Sequence, residues 1–482
     1  MHALKLPASP ARWRCVHALK LSLGVLIACI GVSGCATSLP TVTTEAGVSP
    51  FIAFVHLDGF DLSGVTGAQF TIAPKPGSVS RPVHVEYSLS ALAARGYFSL
   101  GSLTLPVFGL YAGYQNQVSV EVERSSVGPL SLKVTVPTAA YIDPSGIYDQ
   151  PTIVTPRAAG SALGFDFIFI RSGLGSPVII DTDGEICWAA PRIQSSFSSA
   201  FRGDEFIIGD PGRPTVYGLR LDGNIRQADL PSSTYTDFNH NINRGKFGFL
   251  AEVDAETGGV ASIESNVIEF QDSSSISILN QWDLGAILGA YMSNQGDDAA
   301  AFVRPGVDWL GYSSGAIMWI LGDPTKYWYT FPSLRARALT LAPGGLYPIG
   351  QHALSITFDG LLMLFNDGLG SLNQPSGEPA GQTRTYSTVS AYSIDQASMT
   401  ATQVWDYDAG QMIFSPVCSS AYEAADRSIL VDYATASGAT EALLVGLDSS
   451  HNVVFEFKYP TSGCNTSWNA RPIPLDDLKV NE

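Results

Sequence analysis

Five of the seven histidines in this 482-residue chain lie beyond residue 34, and two of them, His240 and His352, open strand-like runs. Imidazole moves protons near neutral pH, and its neutral nitrogen is also a nucleophile. His352 follows Gly350 and Gln351, with a Gly- and Pro-rich loop ahead of it, and precedes the alternating run Ala353-Leu354-Ser355-Ile356-Thr357-Phe358. A histidine at the mouth of a strand is placed to reach a central cavity. His240, after Phe238-Asn239, stands in the same relation to its own run. His56 and His84 belong to an N-terminal β-rich stretch, and His451 sits in the turn Asp448-Ser449-Ser450-His451-Asn452, where a solvated turn residue is the plain reading. On residue types alone, the plainer reading of His240 and His352 too is partly buried structural histidine.

Metal and thiol chemistry have little support. Asp181-Thr182-Asp183-Gly184 has the start of a calcium loop but lacks the distal glutamate and the remaining ligands, so it reads as a hairpin turn. Six cysteines are present, none with C-x-x-C spacing. Cys418 and Cys464 form an available disulfide pair in an oxidising compartment, and Cys187, inside Glu185-Ile186-Cys187-Trp188, reads as a buried free thiol.

The elements that must position the histidines are β-strands. The chain is 15% charged and 10% aromatic, with 47 Gly and 29 Pro, and short alternating runs are separated by Gly, Pro, Asn and Asp. The best helical candidate is a turn or two at residues 90–96. Residues 51–137 read as a small immunoglobulin-like β-sandwich of about seven strands, with runs such as Val83-His84-Val85-Glu86-Tyr87 and Gln117-Val118-Ser119-Val120-Glu121-Val122. A Pro-containing linker follows. From residue 152 to 482 a degenerate turn-and-strand repeat recurs at Trp188, Ile225, Trp282, Trp319, Trp405 and Phe455, which suggests a six-bladed β-propeller. Trp282 and Trp319 are only 37 residues apart, and the interval holds Ser293-Asn294-Gln295-Gly296-Asp297-Asp298 and Arg304-Pro305-Gly306. A four-stranded blade needs more apolar alternation than that, so the fourth blade is expected to be truncated.

The start of the chain points to export. Residues 1–34 carry Lys5, Arg12, Arg14 and Lys20 and no acid, then an apolar stretch at 21–34 of signal-peptide length. Val32-Ser33-Gly34-Cys35 is the bacterial lipoprotein pattern, which makes 1–34 a lipoprotein signal peptide, Cys35 the lipidated residue and 35–50 a linker; an ordinary secretory signal cut nearby is the alternative. Ala36 favours a lipid-anchored place in the outer membrane, facing the periplasm. Without 1–34 the chain has 23 Lys and Arg (27 less 4) against 44 Asp and Glu, a balance that disfavours nucleic acid and anionic lipid surfaces as partners.

Several motifs together resemble the bacterial arylsulfate sulfotransferases, the phosphoadenosine-independent kind. They are the segment at 105–116, Trp319-Ile320-Leu321-Gly322-Asp323-Pro324, Gly350-Gln351-His352-Ala353, Phe365-Asn366-Asp367-Gly368, Arg384-Thr385-Tyr386-Ser387, Val404-Trp405-Asp406-Tyr407 and Tyr459-Pro460. The resemblance covers nearly the whole exported chain and is strongest over 315–474. It implies transfer of a sulfuryl group from an aryl sulfate donor to a phenolic acceptor through a sulfated histidine, without nucleotide, metal or other cofactor. The nucleophile of the family matches His352. A second family histidine belongs to a His-His pair; here the segment reads Phe238-Asn239-His240-Asn241, so His240 alone stands in. A homodimer is a further partner to consider.

The chain departs from the family at one place. The Trp-x-His-x-Asn-Ser strand and the later Ser-Ser-Arg reduce to Asp308-Trp309-Leu310-Gly311-Tyr312-Ser313-Ser314-Gly315, without the histidine and arginine. Those groups are charge-assisted donors to the sulfate. Losing one such donor costs about 2–4 kcal/mol of transition-state stabilisation, or roughly 10²–10³ in rate. Arg384 and Lys326 are the candidate replacements. Two expectations follow: an exported aryl sulfotransferase acting through His352 and His240, or an inactive β-propeller lipoprotein serving as a ligand-binding or envelope scaffold.

Overall fold

A computed structural model describes residues 39–481, apart from 100, 126–127, 174, 192–194, 232, 258–259, 272–275, 289–311 and 371–375. The signal peptide expected at 1–34 and the lipidation expected at Cys35 lie outside the described residues, as do Trp309 and the sequence around it. The fold is all-β. Its N-terminal part is a sandwich of a four-stranded and a five-stranded sheet. In Val83–Ser88 buried and half-buried residues alternate, as the period of two requires, and Val85 and Tyr87 face the same core as Val55, Phe70 and Leu105. Phe70 meets Phe108 edge-on at 5.5 Å across that core. The one helix of this part, Leu89–Ala94, starts where Ser88 Oγ accepts the Ala91 N–H at 3.1 Å.

Two boundaries differ from the sequence expectation. The span expected as a linker, 35–50, contributes the strand Thr41–Ala46, which pairs antiparallel with Ile52–Asp58. At the other end, Leu478–Val480 leaves the C-terminal domain and pairs parallel with Val83–Ser88. The span 51–137 holds seven described strands, as expected, and these two additions bring the sandwich to nine, because backbone at an open sheet edge is satisfied by whatever chain reaches it.

The C-terminal part is a β-propeller closed by strands borrowed from both ends of the repeat region. The first sheet takes Phe167–Arg171, Val178–Asp181 and Ile186–Ala189 from its start and Asn469–Ile473 from the end of the chain. The last sheet, Ser420–Glu423, Ile429–Thr435, Glu441–Leu447 and Val453–Pro460, takes Thr152–Thr155 on its outer edge. Between them lie sheets spanning Ser198–Arg202 to Ile225–Asp229, Tyr235–Arg244 to Ser277–Asp283, and Gln351–Ile356 to Thr400–Tyr407.

Five such sheets are seen among the described residues. Where the sequence expects a short fourth blade, the described chain forms the helix Leu284–Leu288, a 3-10 turn at Tyr327–Thr330, the helical turn Pro332–Arg335 and the two-residue strand Thr340–Leu341. These pack around Trp282, Trp319, Trp328, Leu334 and Leu339. Trp328 is fully buried with its indole N–H donated to the Asp323 carbonyl at 2.9 Å. Among the described residues of this interval, apolar burial holds the chain, and Thr340–Leu341 pairs in parallel with Thr400–Tyr407 of the next sheet.

The turns read as hairpins are also what joins the two parts. Asp183 accepts hydrogen bonds from the Ser78 and Ser80 hydroxyls and from the N–H groups of Val79 and Ser80. Asp222 accepts from the Tyr97 hydroxyl at 3.0 Å. Arg95 grips Asp204 through Nη1 and Nη2 of its guanidinium, and Asp166 is held between Arg81 and Arg157. One continuous core, including Phe51, Phe169, Trp188 and Leu221, runs across this joint.

Candidate active site

In each propeller sheet one edge strand faces its counterparts in the other sheets. Arg471, on Asn469–Ile473, donates to Asn243 Oδ1 at 2.6 Å and to the Tyr422 hydroxyl at 2.8 Å, so three such strands meet side chain to side chain. His240 lies on one of these strands, Tyr235–Arg244, and His352 on another, Gln351–Ile356.

Both histidines stand at a break in strand register. The pairing of Tyr235–Arg244 jumps from Asn239↔Glu252 to Ile242↔Ala251, and His240 itself has φ of 34°. The pairing of Gln351–Ile356 jumps between His352↔Phe365 and Ser355↔Met363, with Ala353 at φ 50°. A bulge bends a strand and re-aims a side chain, and here each bulge turns an imidazole towards the same ring. His240 stacks on Trp468 with centroids 5.0 Å apart and planes at 17°, while His352 approaches Trp468 edge-on at 6.4 Å. Phe197 completes the group, 4.4 Å from Trp468 and 5.3 Å from His240.

Each imidazole also has a carboxylate. Nδ1 of His352 lies 2.6 Å from Oδ2 of Asp367, whose side chain is 2% exposed, whereas the His352 ring is one-third exposed (33%). Nδ1 of His240 lies 3.7 Å from Oε2 of Glu252. Burial pushes the Asp367 carboxyl up to about 6, against the pull of His352. Burial alone would lower the His352 value, but the adjacent Asp367 carboxylate outweighs it and raises the value, with His240 opposing and the Gly350 backbone adding to the rise.

Backbone geometry explains how a residue 15 positions downstream reaches His352. Gln351 pairs with Asn366, and the Asp367 N–H donates to the Gly350 carbonyl at 2.9 Å, which brings Asp367 beside the histidine. Gly350 has φ of 61°, and a Cβ there would sit 2.7 Å from the Leu369 carbonyl oxygen and 3.2 Å from Asp367 Cβ. Only glycine allows both the turn and the approach. The fully buried Asn366 braces the loop, accepting the Ile349 N–H at 3.2 Å and donating to the Thr388 and Ser390 hydroxyls at 3.0 and 2.8 Å.

Trp468 is carried on a tied loop. Its N–H donates to the Arg171 carbonyl at 2.7 Å, and the disulfide Cys418–Cys464, with Cα atoms 6.3 Å apart, fastens the loop ahead of it to the chain entering Ser420–Glu423. Cys187 is a buried free thiol.

Arg384 donates its side chain to the Tyr347 carbonyl and its backbone N–H to the Gly368 carbonyl, both at 2.6 Å, and the Lys326 side chain packs over Gly381. His56 and His84 bond to Thr104 and Thr71 within the sandwich, and His451 lies in its turn against Trp405. Among the described residues no group of three or more His, Cys, Asp or Glu could hold a metal ion. The sequence reading missed Asp367, Glu252, Phe197 and Trp468 as members of this site; Asp367 was visible only as part of Phe365-Asn366-Asp367-Gly368.

The geometry defines a β-propeller protein with two carboxylate-backed histidines at a shared aromatic ring. The family model for arylsulfotransferase (ASST) matches residues 158–312 and 310–469, and the chain belongs to that family. The two matched pieces overlap at 310–312, within the interval between Trp282 and Trp319 that the sequence spacing singles out. Among solved structures, that of AztD from Citrobacter koseri is 10% identical, covering 91% of this chain and 88% of that one at a TM-score of 0.18. Apo AztD from the same organism covers 84% and 98%, also at 10% identity and a TM-score of 0.18. Scores that low bear no weight on fold or function. No curated protein sequence matches the chain.

Proposed function

We propose that this chain transfers a sulfuryl group from an aryl sulfate to a phenol through a sulfohistidine at His352. The observation that supports this best is the meeting of His352 and His240, from two different sheets, at Trp468, with buried Asp367 behind His352. In the first half-reaction the neutral Nε2 of His352 attacks sulfur, the bond from sulfur to the aryl oxygen breaks, and protonated His240 gives its proton to the departing phenolate. In the second, the acceptor phenol passes its proton to His240 as its oxygen attacks sulfur and the S–N bond breaks. Charges and protons balance over the cycle. Trp468 and Phe197, both only partly buried, offer an apolar wall for the aromatic ring of donor or acceptor. His240 is the one cationic donor to the sulfate that this reading supplies, with Glu252 Oε2 3.7 Å from its Nδ1.

The loss of the family's histidine and arginine at 308–315 favours a second reading, an inactive propeller that binds phenolic ligands or envelope proteins. In either case the chain is taken to be exported, lipidated on Cys35 and held at the periplasmic face of the outer membrane, with a homodimer as the assembly to test. Palmitate labelling that disappears in Cys35→Ala tests the anchor.

The activity test uses protein lacking residues 1–35, a chromogenic aryl sulfate and phenol, beside a His352→Ala control. Acceptor-dependent release of the chromogenic phenol that vanishes in the control is the expected result. A well-folded wild-type protein that releases none overturns the transferase reading and leaves the binding role.

A further inference from the structure

Sulfur can be attacked only by an imidazole nitrogen that carries a lone pair, and a neutral ring has one such nitrogen at a time. In His352 the two nitrogens are in different surroundings. Nδ1 is buried and lies 2.6 Å from Asp367, so the one-third exposure of the ring belongs to its other side, where Nε2 sits. Among the described residues His352 is the one charged group that acts on Asp367, whose Oδ1 accepts no hydrogen bond from them. Nothing described therefore competes with His352 for this carboxylate. The carboxylate is held by the Gly350 turn and by the Asn366 braces, which fix it independently of the histidine.

We infer that Asp367 is the positioning residue that selects the attacking atom of His352, holding the proton on Nδ1 and leaving the Nε2 lone pair open to the donor. This rests on the reading of His352 as nucleophile. The same contact serves the intermediate. Once Nε2 carries the sulfuryl group and Nδ1 keeps its proton, the ring is cationic, and the adjacent carboxylate stabilises it, as a buried aspartate stabilises an imidazolium in hydrolytic triads. In the resting structure the Nδ1–H does not point squarely at the carboxylate despite the short separation. Catalytic hydrogen bonds are often misaligned without substrate and tighten in the complex. Glu252, 3.7 Å from His240, makes a looser contact, which suits a ring that must gain and lose its proton in every cycle.

The test reads the tautomer directly. Protein with ¹⁵N-labelled histidine is examined by NMR at pH 8, with His352→Gln used only to assign the signal. The wild type is expected to carry its proton on Nδ1, and Asp367→Asn to move much of the population to the Nε2–H form, since the amide can donate to Nδ1. Where activity is measured, Asp367→Asn is expected to lower kcat by about 10³–10⁴-fold, as it does where a buried aspartate orients a catalytic histidine. KM should stay within about twofold, because Asp367 does not touch substrate, and Asp367→Glu should recover part of kcat. An Nε2–H tautomer in the wild type, or an unchanged tautomer in Asp367→Asn, overturns the inference. If Asp367→Asn fails to fold, the wild-type tautomer decides alone. Because the tautomer is read without turnover, a protein that transfers no sulfate still gives an answer, and the two failures can be told apart.

Discussion

Arg95 with Asp204 at the joint, and His352 with Asp367 at the propeller mouth, are both buried carboxylates beside a nitrogen base, yet they do opposite work. Asp204 is 5% exposed and meets a guanidinium, which stays charged at any pH a protein survives. That contact is a permanent lock between sandwich and propeller. Asp367 is as buried but meets an imidazole, whose charge changes near neutrality, and its own carboxyl is pushed up to about 6. The choice of base thus separates a structural pair from one whose proton can move. The joint is also saturated with donors, since Asp183 alone accepts from two serine hydroxyls and two backbone N–H groups. At the mouth, Oδ1 of Asp367 is left without a partner.

The contrast makes separable predictions. His352→Ala should reduce sulfuryl transfer by about 10⁴-fold or more, the scale on which a lost nucleophile acts, while urea unfolding shifts little because the ring is partly exposed. Arg95→Met should do the reverse, costing about 3–5 kcal/mol in urea unfolding through the buried, unpaired Asp204, with the folded fraction retaining its transfer rate. A folded Arg95→Met protein with wild-type stability would remove the structural half of the contrast. His240→Gln should lower kcat by about 10²–10³-fold with phenols of high pKa and less with good leaving groups, measured across a series of substituted aryl sulfates. Lowering the pH through the His352 range, which Asp367 lifts above the ordinary imidazole value, should depress transfer by about tenfold per unit, because a proton on His352 removes its lone pair, and further down, at about 6, a proton on Asp367 loosens the hold on Nδ1. Above that range the rate should level off on this limb.

Much of the architecture is readable from local pattern. Val83-His84-Val85-Glu86-Tyr87 alternates as a half-buried strand must, and the Asp-Gly turns mark hairpins through their own side-chain bonds, as where Asp181 Oδ1 accepts the N–H groups of Asp183 and Glu185. Spacing alone exposes the thin interval between Trp282 and Trp319. The site is less readable. His240 and His352 stand out because histidines are few, but the bulges that turn them do not, since Asn239 to Ile242 contains no glycine to announce a break. Glu252 and Asp367 look like two carboxylates among 44.

What the sequence by itself determined is the set of β-strands, the division into sandwich and repeat, and the choice of His240 and His352 as the candidate pair, because alternation, turn residues and rarity are local properties of a chain. The tertiary structure alone decided which carboxylate backs which imidazole, that Trp468 stands between them, and that the last three-residue strand returns to the sandwich. These contacts join residues far apart in the chain. They come from strand register and from closure of the propeller, which minimise unpaired backbone over the whole molecule and leave little trace in any short stretch of it.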